Sequence, residues 1–399
     1  MADKRILYIS GSVGLGHVTR DIAIAREIRR QRPGTSIAWL AAHPATIVLE
    51  DAGEQLLPEA EHYANETVTA EKASKGFSLN LLKFAFHSTP DLIRDIKVLR
   101  RVLKRERFDL IVGDEAYKMD LALRLRRISI DIPYVLIHDF VGLDTAGWNP
   151  LERLLTYSGN FGWTRTLKDL SHVRHQALLV GEAGDIPAGR FGPLLPDRRE
   201  WAKANYEFIG YVFPFDPADY ADKAKIRAQL GYHEEPLVVC AIGGTSIGRS
   251  MLELCGQAFP IIRQKVRELR MVLVCGPRLS PDALTVPKGV EVRGYVPALY
   301  EHFAASDLAI VQSGGTTTLE LTALRRPFIY LPVERHFEQN VHVAARLARH
   351  GAGIKLSYAE TTPETLASHV VSNLGKEVGW ETIPADGAGK AAELILRQL

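Results

Sequence analysis

Short apolar runs recur along the chain, separated by longer stretches in which apolar residues fall at helical spacing. In the first half the runs are RILYIS (5–10), SIAWLA (36–41), DLIVGD (109–114), PYVLIHDF (133–140), QALLVG (176–181) and YEFIGYVF (206–213). In the second half they are PLVVCAIGG (236–244), RMVLVCG (270–276), VEVRGYV (290–296), DLAIVQSGG (307–315) and PFIYLPV (327–333). Most are apolar at successive positions, so both faces of such a strand lie under other residues. That predicts parallel strands covered by helices. The alternation of strand and helix predicts an α/β fold with right-handed crossovers, built twice.

The stretch VFPFDPADYADKAK (212–225) combines two prolines, aromatic rings and charge, and a new strand–glycine–helix sequence follows it. The expected division is 1–215 and 216–379. The last helix, about 386–398, carries Ala391, Leu394 and Ile395 on one face. It lies beyond the last strand–helix unit, so residues 380–399 are expected to cross back to the first domain.

A length of 399 residues suits two cores. With 46% apolar and 24% charged residues the chain reads as soluble and globular. Its net charge of +2 does not suggest bulk polyanion binding, and no nucleic-acid partner is expected. Cys240, Cys255 and Cys275 sit in or beside apolar segments without CxxC spacing. A disulfide framework or zinc site is not expected, and a reducing cytoplasm fits. No signal peptide is visible after MADKR, and no apolar run approaches a membrane span.

The first strand runs into ISGSVGLGHVTRD (9–21), which reads G-x-x-G-x-G over 11–16. A dinucleotide site wants G-x-G-x-x-G and an acid closing the second strand, but that strand ends WLAAHPAT. A loop at the carboxyl end of strand one is what is left, leading into a helix at 20–32, and ligands bind open α/β sheets at that edge. His17 falls at the helix N-terminus, where the dipole disfavours imidazolium. A neutral ring there suits general-base work.

The loop CAIGGTSIGRS (240–250) places Gly244, Thr245 and Ser246 after a strand, a position suited to phosphate. The stretch 310–340 is more specific. Ser313, Gly314 and Gly315 make a turn. Thr316 and Thr317 open a helix whose free N–H groups suit an anion. Glu320 lies one turn along, placed for the two hydroxyls of a ribose. Beyond the next strand, a loop carries Glu338 and Gln339, which suit sugar hydroxyls.

These segments resemble the donor-binding signature of nucleotide-sugar glycosyltransferases of the two-domain GT-B fold, near the MurG-type and the UDP-glucuronosyl- and glucosyltransferase branches. The resemblance is tight over 9–27, 236–250 and 290–350. It implies two Rossmann-like domains with parallel sheets facing across a cleft, acceptor-binding first and donor-binding second. Gly14 and Gly16, on the loop after the first strand, are expected to bind the donor, and the resemblance assigns diphosphate and ribose to Gly314, Gly315 and Glu320. The donor sugar falls to Glu338 and Gln339, and the base to the backbone at Tyr295, Val296 and Pro297. Two residues depart from common members: Ser313 stands where many have His, and Glu338 where many have Asp. UDP is expected ahead of dTDP.

The resemblance makes His17 the base that takes a proton from an acceptor hydroxyl as it attacks the anomeric carbon, with inversion. Asp114, ending its strand on the same sheet edge, is the expected orienting carboxylate. Glu115 would point the other way, and Asp139 is a third option. No Asp-x-Asp motif occurs, which supports a metal-free site with no cofactor and the nucleotide-sugar as substrate. The acceptor is a small molecule or a lipid. In 76–107 an apolar stretch joins a basic helix over 91–107, and such a surface suits peripheral contact with an anionic membrane. Two other functions fit the same residues. One is a nucleotide-sugar hydrolase or epimerase, which Gly14 to Arg20 also resembles. The other is a non-catalytic nucleotide-sugar binding protein.

Overall fold

The computed structural model describes residues 4–11, 14–145, 147 and 149–399. It divides into two compact units. The first comprises residues 1–73, 81–214 and 384–399, and the second comprises 74–80 and 215–383. The strands up to the division are β1 (Arg5–Ile9), β2 (Ser36–Leu40), β3 (Gln55–Leu56), β4 (Ser74–Lys75), β5 (Ser78–Leu79), β6 (Leu110–Asp114), β7 (Tyr134–His138), β8 (His175–Val180) and β9 (Glu207–Gly210). After it come β10 (Leu237–Ala241), β11 (Arg270–Val274), β12 (Glu291–Arg293), β13 (Leu308–Val311), β14 (Phe328–Tyr330) and β15 (Ile354–Lys355).

In the first unit the order is β3-β2-β1-β6-β7-β8-β9, with parallel pairing throughout. The unbroken apolar runs have a direct explanation here. Alternate residues of each strand enter two separate cores, because side chains alternate across a sheet. Leu7, Ile9, Ile111, Leu136 and Leu179 join one core. Ile6, Tyr8, Leu110, Val112, Val135 and Ile137 join the other. The second core is covered by the helix Gly16–Gln31 and by the helix Gly387–Leu396, which contributes Ala391, Ala392 and Ile395 at zero exposure.

The second unit has the order β12-β11-β10-β13-β14-β15, again parallel. Val239, Ala241, Val272, Val274, Ala309 and Val311 build one side of its core. Cys240, Cys255 and Cys275 are buried free thiols.

The segment 76–107 is divided between the two units. Its first residues do not belong to the first unit: β4 and β5 form a hairpin counted with the second, where Leu79 N–H donates to the Glu334 carbonyl at 3.0 Å and Glu334 N–H to that of Phe77 at 2.9 Å. The remainder is a single helix, Leu81–Arg105, that runs through Pro90. An interior proline costs about 3 kcal/mol. Burial of Val98, Leu99 and Val102 outweighs that, at about 1.5–3 kcal/mol for each large side chain. Among the described residues, no helix is long and apolar enough to cross a membrane.

Candidate active site

Both sheets reverse their strand order once, between β1 and β6 in the first unit and between β10 and β13 in the second. Crevices at the carboxyl ends of such neighbouring strands are where open α/β sheets hold ligands.

In the first unit the loop after β1 meets the end of β6. Gly11 makes this approach possible: an added Cβ would lie 3.3 Å from the Asp114 carbonyl oxygen and 3.3 Å from His17 Cγ. The helix begins at Gly16, four residues earlier than the sequence suggests, so His17 lies in its first turn. His17 Nδ1 is 3.3 Å from Asp114 Oδ2 and 2.7 Å from Arg20 Nη2. One nitrogen cannot serve both partners. Protonated, Nδ1 donates to Asp114; bare, it accepts from Arg20. Arg20 Nη2 also lies 2.7 Å from both Asp114 oxygens, while Nη1 donates to Asp139 Oδ2 at 2.9 Å.

Glu115 is a second correction. Its φ is +47°, which turns the chain as it leaves β6. Instead of pointing away, its Oε2 lies 3.4 Å from His17 Nε2, and Oε1 accepts from the Tyr117 hydroxyl at 3.1 Å.

The charge on His17 also departs from expectation. Burial and the Arg20 guanidinium push its pKa down, but Asp114 and Asp139 outweigh them and hold it above the ordinary histidine value. A helix N-terminus offers about half a unit of positive charge, less than two carboxylates. The balance at His17 therefore runs toward the imidazolium, against the dipole. Burial pushes Asp114 and Asp139 up, but Arg20 first and His17 second pull both below the usual carboxylate range. His17, Glu115 and Asp139 bring metal-ligand atom types within 4.8 Å of one another. The Arg20 cation is already bonded to Asp139, so the trio's charge is answered by a fixed guanidinium.

In the second unit the loops follow β10, β12, β13 and β14. After β10, Gly243 adopts φ +71°, and Gly244 and Thr245 lead into a tight turn, Ser246–Gly248, before the helix Arg249–Arg263. Tyr295 and Val296 follow β12, with Pro297 in the turn. After β13, Ser313 Oγ is buried without a hydrogen-bond partner among the described residues. Gly314 then precedes the helix Gly315–Ala323, which has no side-chain cap and no acid in its first turn. The first-turn N–H groups of Gly315, Thr316 and Thr317 therefore have no partner within the helix.

Glu320 is buried on that helix, and among the described residues its carboxyl makes no hydrogen bond. Burial alone pushes its pKa up to about 8. Glu338 and Gln339 are not on an irregular loop: they open a π-helical turn, Glu338–Val343. Gln339 Oε1 accepts from Val333 N–H at 2.8 Å, so its amide nitrogen is the end left to meet a ligand.

Residues 238–377 match the glycosyltransferase family 28 C-terminal domain. The UDP-N-acetylglucosamine--N-acetylmuramyl-(pentapeptide) pyrophosphoryl-undecaprenol N-acetylglucosamine transferase of Clavibacter sepedonicus is 24% identical, over 98% of this chain and 95% of that one. The chain is a glycosyltransferase of the GT-B type. The glycosyltransferase is also 24% identical to the PGL/p-HBAD biosynthesis rhamnosyltransferase of Mycobacterium bovis, over 94% of this chain and 81% of that one. The solved structure of the spinosyn rhamnosyltransferase SpnG complexed with thymidine diphosphate shares the fold, with TM-score 0.56 and 15% identity over 99% and 95% of the two chains.

The structure of the glycosyltransferase gathers His17 and Asp114 in the first unit, beside Gly14 and Gly16. It sets Gly244, Thr245, Ser246, Tyr295, Val296, Ser313–Thr317, Glu320, Glu338 and Gln339 in the segments that follow β10, β12, β13 and β14 of the second. The sequence pattern alone marks no role for Arg20, Asp21 or Arg346. Arg20 and Asp21 stand in the quoted loop, where their spacing from His17 places them on its helix face. Arg346 carries no such signal. It is buried, and its Nη2 donates to the Gly315 carbonyl at 3.1 Å.

Proposed function

We propose that the chain transfers a sugar from a nucleoside diphosphate sugar, UDP-linked ahead of dTDP-linked, to an acceptor hydroxyl in one inverting displacement. The observation that carries this is the uncapped turn Gly314–Thr317 with the buried, unbonded Glu320 one turn on, inside a family 28 C-terminal domain. The free N–H groups suit the diphosphate, and the Glu320 carboxyl suits two ribose hydroxyls. The preference for UDP takes its support from the Clavibacter relative, whose name specifies a UDP-sugar.

His17 acts as the base. In the productive form Nδ1–H donates to Asp114, and the lone pair of Nε2 faces the acceptor hydroxyl, which takes the place of Glu115. The proton moves to Nε2 as the oxygen bonds to the anomeric carbon and the nucleoside diphosphate leaves. The N–H dipoles of the second unit stabilise the leaving group without a metal. The acceptor is a small molecule or a lipid. Phe86 and Ile93 are exposed on the helix Leu81–Arg105, which also carries Lys97, Arg101 and Lys104. That combination supports peripheral contact with an anionic bilayer from the cytoplasmic side.

Calorimetric titration with UDP, dTDP and GDP, repeated on Glu320→Ala, tests the donor site. Tight binding of UDP, lost in the variant, is the expected result, and binding of none of the three overturns the proposal. Incubation of the matching nucleotide-sugar with and without acceptors then separates transfer from hydrolysis, since a hydrolase releases free sugar without an acceptor.

A further inference from the structure

Behind the His17–Asp114 pair lies a carboxyl that the proposed chemistry does not use. Asp21 has zero exposure. Its Oδ1 accepts from the Tyr8 hydroxyl at 3.0 Å and its Oδ2 from the Ser10 hydroxyl at 2.5 Å. Its side chain also meets the Asp114 carboxyl directly. Asp21, Asp114 and Asp139 share one guanidinium, that of Arg20, which bonds Asp114 and Asp139 and, among the described residues, not Asp21. The groups facing Asp21 are thus Tyr8 and Ser10 from the first strand and its exit, Asp114 from β6, and Arg20 from its own helix.

Two touching carboxyls out of water cannot both hold a negative charge cheaply, and one keeps a proton. Asp114 is the one with the cation and the histidine. We propose that Asp21 is a neutral carboxylic acid that donates its proton in a hydrogen bond to Asp114, locking that carboxylate toward Arg20 and His17. Burial and the charge of Asp114 push the Asp21 pKa well up, outweighing Arg20 and the Ser10 hydroxyl, which favour the anion. Asp21 is a positioning residue. With Asp114 held on its far side by an O–H donor, its near side stays aligned with His17 Nδ1, and the ring keeps the orientation that bares Nε2.

This rests on His17 as the base, but its first test does not depend on turnover. Infrared difference spectroscopy of the wild type against Asp21→Asn at neutral pH is expected to show a protonated-carboxyl C=O band in the wild type that the variant lacks. Identical spectra in that region overturn the proposal while leaving the role of His17 untouched. The kinetic test uses the same variant. Asparagine supplies an N–H donor and no charge, so the acid limb of the kcat/KM–pH profile is expected to stay in place. Asp21→Val is expected to lower kcat about tenfold, the worth of one hydrogen bond to a charged group, with KM unchanged. An acid limb that moves to lower pH in Asp21→Asn shows that Asp21 was an anion supporting the imidazolium, and overturns the proposal. Should the valine variant not fold, the infrared comparison decides alone.

Discussion

The two units have related sheets and put their chemistry at the same topological place, yet they fill it with opposite materials. In the first, the reversal between β1 and β6 is packed with titratable groups: His17, Arg20, Asp21, Asp114, Glu115 and Asp139. In the second, the reversal between β10 and β13 is made of backbone N–H groups, small hydroxyls and the single buried acid Glu320. The first arrangement can hold and move a proton. The second can hold an anion through fixed dipoles, which need no counter-charge and do not titrate. On the proposed reading, a fold repeated twice serves two different functions through what stands at its strand ends.

Replacing the histidine tests the comparison hardest. His17→Ala is expected to lower kcat by about 10²–10⁴-fold and leave nucleotide affinity unchanged in calorimetry. The opposite pattern would exchange the roles of the two centres. In the wild type the acid limb of kcat/KM is expected above pH 6.5, since the base must be deprotonated and its pKa is raised from that value.

Next comes the ion pair behind it. Asp114→Ala leaves Arg20 buried with Asp139 as its remaining carboxylate partner among the described residues. It is expected to cost about 3–5 kcal/mol in denaturant unfolding. Asp139→Ala is expected to cost less, because Asp114 retains the guanidinium.

Glu320→Gln probes the other centre with a smaller effect. It is expected to weaken nucleotide binding by about 10–100-fold, the worth of hydrogen bonds to a charged acceptor. The wild-type affinity should depend on pH in a defined direction. Hydroxyl donors favour the ionised carboxyl, so the bound state has the lower pKa. Affinity then rises as pH climbs toward about 8, the value for the free protein, and levels above it. The glutamine variant should show no such slope, and a slope that survives removes Glu320 from the site.

The smallest effect concerns neither centre. Lys97 and Arg101 are exposed and make no ion pair among the described residues. The pair Lys97→Glu and Arg101→Glu is expected to weaken sedimentation with anionic vesicles by about 1 kcal/mol for each lost cation. Turnover of a soluble acceptor should be unaffected. Unchanged vesicle binding would confine that helix to a structural role.

The fold was largely legible because its strands announce themselves. A run such as Ile6-Leu7-Tyr8-Ile9 has no polar side, and only a strand with a core on each face needs that. The two-residue strands β3 and β15 were not legible, being too short for any period. At the candidate site, loops that follow strands could be named from glycines and hydroxyls, since their place on the sheet edge follows from local order. What could not be read was the direction of Glu115 and the partners of Arg20. Glu115 reverses its side chain through one positive φ, and Arg20 selects Asp114 and Asp139 across 94 and 119 residues of sequence. The direction of the His17 shift follows from its carboxylate partners and not from its helix.

The helix Gly387–Leu396 has a consequence for biosynthesis. It closes a core whose other members begin at Ile6, and the main segment of the second unit is translated in between. Domains ordinarily fold as they emerge, N-terminal first. Here the order is inverted: the second unit can complete its sheet while the first still lacks the helix that contributes Ala391, Ala392 and Ile395 to its core. The unit that starts first finishes last. A nonsense codon just ahead of that helix would therefore damage the unit whose strands were translated first.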